Sequence, residues 1–271
     1  MLGLGHIGAS LASALSTRGW KVWGWDRDAA SVRYARKEGW LYHVARPDME
    51  IDTHNLICVI ALPESAVGDP KLSKMLSHLP SGTIVTEVFS SKGKGTVVLE
   101  RECAALGLRF GWSHPLAGRE GNGVASADPG IFAGATVLVD ALAPAAVRAD
   151  LARLWKGIGC SVELMSTEHH QRHMAAGSHL MHALAYSLMH ALGGPKSASP
   201  SVLSTTRVAK SSPEAWAVIL ASNSEEVTAS IERLRKELGK VSRLVHKGDG
   251  RSLFKYLAEG QRLRLKLEEK K

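Results

Sequence analysis

Met1-Leu-Gly-Leu-Gly-His-Ile-Gly8 opens the chain, and Gly3, Gly5 and Gly8 spell G-x-G-x-x-G. An apolar run on a helical period follows through Ile7, Leu11, Ala14 and Leu15. In this pattern one glycine permits a tight turn and one lets the backbone approach a pyrophosphate. The third lets helix and strand pack closely. The phosphates then rest on the free N–H groups of the helix N-terminus. The glycines alone are a weak signal, and their surroundings strengthen it. A helix-like stretch runs to Arg18, Trp20-Lys-Val-Trp-Gly-Trp25 reads as a strand, and Asp26 lies 18 residues past Gly8. A carboxylate there accepts hydrogen bonds from a ribose. Gly3, Gly5, His6, Ile7, Gly8, Asp26 and Arg27 are therefore candidate cofactor-binding residues.

The fingerprint normally follows a strand, yet only Met1 and Leu2 precede Gly3. That strand is central in such sheets. Its near absence predicts two exposed strand edges and a weakened phosphate turn.

Downstream, strands and helices alternate. Asn55–Leu62, Gly82–Val88, Leu108–Trp112, Ala135–Val139 and Ser161–Met165 are short apolar runs of the kind that buried parallel strands show. Pro144–Ile158 has helical spacing with Pro near its start. This alternation predicts a Rossmann-type, doubly wound α/β domain over residues 1–166. From residue 167 to 271 the strand signal is gone. Glu168–Leu192, Pro213–Leu238 and Ser252–Glu269 read as helices, and the turn-rich Gly193–Pro200 separates the first two. Many small apolar residues on these helices suit burial against a partner subunit, so a homodimer is expected.

Composition narrows the function. The chain has 271 residues, of which 45% are hydrophobic, and no apolar run is long enough to cross a membrane. No secretory signal precedes the glycines. Cys58, Cys103 and Cys160 are widely spaced and odd in number. They read as buried thiols of a reducing compartment, and a cytoplasmic protein is expected. The net charge is +8, but basic residues are scattered among acids without an aromatic platform. Nucleic-acid binding is therefore not expected, and a basic surface suits steering of anionic ligands.

Four constellations carry chemistry. Ser113-His-Pro-Leu-Ala-Gly118 follows a predicted strand, on the side where open α/β sheets bind ligands. His114 suits a general base, or merely caps a turn. Val88-Phe-Ser-Ser-Lys92 offers Ser90 as a hydrogen-bond partner and Lys92 as an anion contact or a surface residue. A histidine-rich helix carries His169, His170, His173, His179, His182 and His190, with His179, His182, Tyr186 and His190 on one face. It has no H-E-x-x-H and no nearby carboxylate or cysteine to complete a site, so no metal is expected. In Thr205-Thr-Arg-Val-Ala-Lys-Ser-Ser-Pro-Glu-Ala-Trp216, Ser212-Pro213 reads as a helix start. Arg207 just before it suits a two-point grip on a carboxylate, or a surface ion pair.

Taken together, these segments resemble the prephenate and arogenate dehydrogenase family of tyrosine biosynthesis, from residue 1 to about 230. The resemblance rests on Gly3–Ala12, on Ser113-His-Pro-Leu-Ala-Gly-Arg-Glu120, on Ser178-His-Leu-Met-His182 and on Thr206–Trp216, in that order. It implies that a cyclohexadienol gives hydride to NAD(P)+ while its ring carboxylate leaves as CO2. By the same resemblance His114 takes the hydroxyl proton with Ser90 as its hydrogen-bond partner. Arg207 holds the ring carboxylate, His179 and His182 line the cleft, and Trp216 closes one wall. Asp26 favours NAD over NADP, a preference that the adjacent Arg27 softens. The chain ends after its helices, so no domain for tyrosine feedback is expected.

Several positions depart from the family pattern. His170 is followed by Gln171 where the family usually has Asp, Met181 replaces a common Pro, and Pro200–Ser204 replaces a Gly-Gly-Phe-Arg-Asp-like stretch. Glu87-Val-Phe-Ser90 stands where the family has Asp-Val-Gly-Ser. These changes leave prephenate, arogenate or both open as substrate. A related β-hydroxyacid or imine-type dehydrogenase fits the two histidine motifs poorly. A non-catalytic dinucleotide-binding protein is the alternative that the short first strand motivates.

Overall fold

Met1 and Leu2 fill the slot that the sequence leaves short. In the computed structural model Leu2 bridges in parallel to Trp25 on one side and to Ile60 on the other. Its N–H donates to the Val59 carbonyl at 2.8 Å, and its carbonyl accepts from Ala61 N–H at 2.7 Å. On the other flank Gly3 N–H reaches the Trp25 carbonyl at 2.8 Å and Trp25 N–H reaches the Met1 carbonyl at 3.0 Å. The expectation of two open edges is therefore corrected. Two residues suffice because a ladder needs only one partner per backbone group, and here both flanks are paired.

The structure describes residues 1–51, 55–117, 121, 123–193 and 199–269. Gly118, Arg119 and Glu120 of the histidine motif, and residues 194–198 of the turn-rich stretch, lie outside the described residues. The chain forms two compact units, Met1–Asn223 and Ser224–Lys271.

The first unit opens with α1 (His6–Ser16), β1 (Trp23–Gly24), α2 (Ala29–Lys37), β2 (His43–Val44) and β3 (Ile57–Ile60). Then come α3 (Pro70–Ser77), β4 (Ile84–Glu87), α4 (Lys94–Ala105), β5 (Arg109–Phe110), β6 (Ser113–Pro115), β7 (Thr136–Asp140), α5 (Ala145–Gly157) and β8 (Ser161–Met165). β1 pairs with β2, β4 with both β3 and β5, and β7 with β8, all in parallel. This is the expected Rossmann-type arrangement, followed by helices. Leu4, Leu11, Val59, Ile84, Val139, Leu151 and Trp155 are buried in its core. Each such side chain contributes roughly 1.5–3 kcal/mol by leaving water.

One strand departs from the expected parallel order. Leu108–Trp112 does not run on as one strand toward His114. It yields β5, and β6 then pairs antiparallel with β7, with His114 opposite Leu138. Gly111 lies between the two strands and lets the chain pack closely there, because a Cβ would lie 2.9 Å from the side chains of Ala143 and Val147.

The same unit continues through α6 (Thr167–Met174), a π-helical turn (Ala175–His179) and α7 (Leu180–Leu192). It ends with α8 (Pro200–Thr205), a 3-10 turn (Arg207–Lys210) and α9 (Pro213–Ser222). Ser212 caps α9 as expected, accepting from Ala215 N–H at 3.2 Å with Pro213 in the first turn. The predicted helix Pro213–Leu238 is interrupted at Asn223, which leaves helical geometry at φ −124°, ψ 36°. The second unit consists of α10 (Ser224–Lys247) and α11 (Gly250–Glu268), joined by a hydrogen bond from Tyr256 Oη to Glu237. Leu238, Val245, Phe254 and Leu257 are exposed on it.

Candidate active site

The fingerprint glycines divide their labour as the sequence implies. Gly3 sits at φ +99°, and a Cβ on it would fall 2.5 Å from the Ala61 carbonyl oxygen. A Cβ on Gly8 would fall 2.0 Å from the Gly3 oxygen. At Gly5 a Cβ would meet nothing within 4 Å, so its restriction points outward, into the adjoining cavity. That cavity of about 730 Å³ is lined by Gly3, Gly5, His6, Ile7, Asp26, Arg27 and Ser90 among others. Gly5 is the N-cap of α1 and no side chain caps the first turn, which leaves amide donors for an anion. Asp26 accepts from Leu4 N–H at 2.7 Å and from Asp28 N–H at 2.8 Å. A carboxylate has further lone pairs for ribose hydroxyls. His6 reaches the carbonyl and the hydroxyl of Ser126 through Nδ1, at 2.8 and 3.0 Å. This cradle fits a dinucleotide.

A second cleft, of about 560 Å³, is lined by His114, His173, Ser178, His182, Arg207 and Trp216. The two hollows adjoin through neighbouring residues: Ser211 lines the cleft and Ser212 the dinucleotide cavity. His182 stacks on Trp216 with ring centroids 3.3 Å apart, and its Nδ1 lies 3.1 Å from the Ser178 carbonyl. Tyr186 Oη donates to the Ser211 carbonyl at 2.7 Å and ties α7 to the segment carrying Arg207.

Beneath the cleft lies a buried polar network. Lys92 Nζ donates to both Glu87 oxygens (3.0 and 2.9 Å), to the Phe89 carbonyl (2.8 Å) and to the Ser113 carbonyl (3.0 Å). Both side chains are fully buried. Burial raises the pKa of Glu87 and lowers that of Lys92, and the mutual attraction opposes both shifts. The donor count favours the charged pair. The three protons of an ammonium serve the Glu87 carboxylate and the two carbonyls, which the two of a neutral amine would not, while Glu87 also accepts from Phe89 N–H and Thr96 Oγ1.

His114 Nδ1 lies 2.8 Å from His170 Nε2. Burial, aided by the Lys92 charge, holds His114 well below the ordinary imidazole range. The same causes, in the same order, bring His170 down to about 3. Burial lowers His179 to about 4, and the neighbouring His182 adds to the effect. All three rings are therefore neutral at neutral pH, and none is a permanent cation.

The structure gathers His114, His182, Arg207 and Trp216 around one cleft, as the sequence suggests. Three expectations are corrected. Ser90 lines the dinucleotide cavity, and the ring partner of His114 is His170. Lys92 is a buried ion-pair member, because Glu87 ends a wholly buried strand and demands a counter-charge. The histidine face that runs from the π-helical turn along α7 does not act as one wall. His179 is buried against Asn223, whose Nδ2 lies 3.2 Å from its Nδ1, and His190 is exposed. The sequence places His170 on the histidine-rich helix and Gln171 as a departure from the family pattern without giving either a role, and it does not single out Asn223.

The nucleotide-binding domain of prephenate dehydrogenase matches residues 11–164, and the prephenate dehydrogenase dimerization domain matches residues 166–259. The chain belongs to the prephenate dehydrogenase family. A cyclohexadienyl dehydrogenase of Zymomonas mobilis is 35% identical over 167 residues, covering 58% of this chain and 57% of that protein. A prephenate dehydrogenase of Lactococcus lactis is 24% identical across 99% of this chain and 77% of its own length. The crystal structure of Aquifex aeolicus prephenate dehydrogenase with hydroxyphenyl propionate and NAD+ superposes with a TM-score of 0.87. It is 27% identical, over 98% of this chain and 96% of that one. The first match starts within α1, after the fingerprint glycines, and the second ends within α11. No helix among the described residues is long and apolar enough to cross a membrane.

Proposed function

We propose that this chain is an NAD-dependent prephenate dehydrogenase, which oxidises and decarboxylates prephenate to 4-hydroxyphenylpyruvate in tyrosine biosynthesis. The observation that carries this reading is a neutral His114 lining a cleft that also holds Arg207 and adjoins the dinucleotide cradle. NAD+ supplies the hydride acceptor when bound. Gly3, Gly5, His6, Ile7 and Gly8 cradle its phosphates, and Asp26, beside Arg27, takes the ribose hydroxyls. His114 accepts the proton of the substrate hydroxyl as the carbon beneath it is oxidised. Arg207 orients the ring carboxylate that is lost, and His182 stacked on Trp216 forms a flat wall for the ring. Buried His179 supports that wall from behind. Ser90 borders the dinucleotide cavity, where its hydroxyl can contact cofactor or substrate. Aromatisation drives the loss of CO2, so positioning and electrostatics are the protein's contribution.

We read residues 1–166 as the dinucleotide-binding part and 167–271 as the substrate-binding and dimerisation part. The two family matches meet between residues 164 and 166, which supports that division. A homodimer in the cytoplasm completes the reading, with no nucleic-acid or membrane partner. The cyclohexadienyl dehydrogenase relative favours a second reading, in which arogenate is also accepted. NADH formation with NAD+ and either prephenate or arogenate tests both. Turnover of prephenate supports the first, turnover of both supports the second, and silence with both overturns them.

A further inference from the structure

We infer that His170, oriented by Gln171, is a positioning residue that fixes His114 in the tautomer carrying its proton on Nδ1, so that the bare Nε2 serves the cleft. The inference rests on the proposed role of His114 as base, and it names the residues that make that role possible.

The hydrogen bonds fix the direction of the chain of donors. The backbone N–H of Lys92 donates to Gln171 Oε1 at 2.9 Å, and Gln171 Nε2 faces the Ser222 carbonyl at 3.5 Å. Both contacts demand the same orientation of the amide, so its oxygen faces Lys92 and its nitrogen faces Ser222. His170 Nδ1 lies 3.4 Å from that same oxygen. A lone pair there would repel it, so the proton of neutral His170 belongs on Nδ1. His170 Nε2 is then an acceptor. The 2.8 Å contact to His114 must be a hydrogen bond donated by His114 Nδ1–H. This leaves Nε2 of neutral His114 without a proton, the state that a base for a hydroxyl requires.

The surroundings hold the pair in place. Trp112 lies edge-on to His170 at 5.2 Å, and its Nε1–H is anchored by Thr167 at 2.9 Å. Asn223 Nδ2 donates to the Gln171 carbonyl at 2.8 Å and fixes the backbone of α6 at that point. The charged or titratable groups facing the pair are Lys92, paired with Glu87 at the β4 end, His173 from α6 and His179 from the π turn. The ammonium disfavours a second positive charge on either ring. The amide at position 171 makes the chain of donors neutral throughout. A carboxylate there would attract a proton and make His114 more basic.

Long-range ¹H–¹⁵N NMR of the histidine rings, with NAD+ bound, tests the tautomer without any substrate. The expected result is an unprotonated Nε2 and a protonated Nδ1 for His114, with a shift to protonated Nε2 in His170→Phe. Steady-state kinetics supply the second arm. His170→Phe lowers kcat by roughly 10²-fold while KM for prephenate and the affinity for NAD+ stay within about twofold. His170→Gln, whose oxygen can accept the Nδ1 proton, recovers most of that loss. Gln171→Glu moves the acid limb of the kcat/KM profile to higher pH, which a merely structural residue would not do. A protonated Nε2 in the wild type overturns the inference. So does a His170→Gln variant no faster than His170→Phe, or an unmoved acid limb in Gln171→Glu. Failure to turn over prephenate would instead count against the proposed function, and the NMR result would still decide the tautomer.

Discussion

Lys92 Nζ donates to the carbonyl of Ser113 at 3.0 Å, so a buried ammonium is bonded to the backbone immediately before His114. The same ammonium is paired with Glu87 at the end of β4. The end of β4, the middle strand of its sheet, and the strand bearing the base are thus locked together by one charged group. Lys92 also lies 5.1 Å from the Trp112 ring, whose edge packs on His170. Ser113 is held a second time, by Thr86 and Trp155 at its hydroxyl.

Lys92→Met should therefore destabilise the fold strongly, because it leaves Glu87 buried without a counter-charge. The expected loss is about 3–5 kcal/mol in urea denaturation. Replacing both residues, as in Lys92→Met with Glu87→Leu, should cost less than Lys92→Met alone. A double variant that loses the sum of the two single losses would show that the pair is not coupled.

The fingerprint glycines should separate folding from cofactor binding. Gly8→Ala puts a Cβ against the Gly3 carbonyl and should lower the Tm as well as the NAD+ affinity. Gly5→Ala meets no protein atom within 4 Å, so the Tm should hold while NAD+ binding weakens by ~10-fold or more. Thermal melts and fluorescence titration with NAD+ check both. Equal loss of Tm in the two variants would make Gly5 a folding residue.

Some of this was legible in the sequence, and some was not, for physical reasons. The glycines, Asp26 and the helix start at Ser212-Pro213 follow local rules, since each depends on neighbours a few residues away. His114, His182, Arg207 and Trp216 were legible through the family resemblance, and the fold brings them to one cleft. The partner of His114 was not legible, because His170 is 56 residues away and any of several histidines fits the chemistry. Lys92 read as an anion contact or a surface residue because nothing local says that Glu87 is buried. The short first strand misled for a different reason. Its contribution is made by backbone hydrogen bonds on both flanks of Leu2, which side-chain patterning does not record.

The neutral histidines make acid a threat to the fold. In the folded chain His170 takes a proton only near pH 3 and His179 only near pH 4, against an ordinary value of 6.5 for each. Between those limits the unfolded chain binds more protons, so stability falls as pH drops below about 6.5. Urea midpoints should decline from about pH 6.5 to about pH 5, where most carboxylates have not yet titrated. His170→Gln removes one of these rings and should flatten the decline. A wild-type midpoint constant over that range would contradict the burial of neutral imidazoles.

Arg207 and His114 line the same cleft and should fail in different ways. His114→Ala removes the proton acceptor, so kcat should fall by roughly 10²–10⁴-fold with NAD+ affinity intact. Arg207→Ala removes a contact to a carboxylate present in the ground state, so KM for prephenate should rise more than kcat falls. Arg207→Lys should recover only part of the loss, since an ammonium cannot reproduce a two-point grip. Burial keeps His114 well below 6.5, so the wild-type acid limb of kcat/KM should lie below pH 6.5. Parallel titrations of NAD+ and prephenate decide the assignment of Arg207. Equal weakening of both ligands would make it a structural residue of the 3-10 turn, and the cleft would need another anion contact.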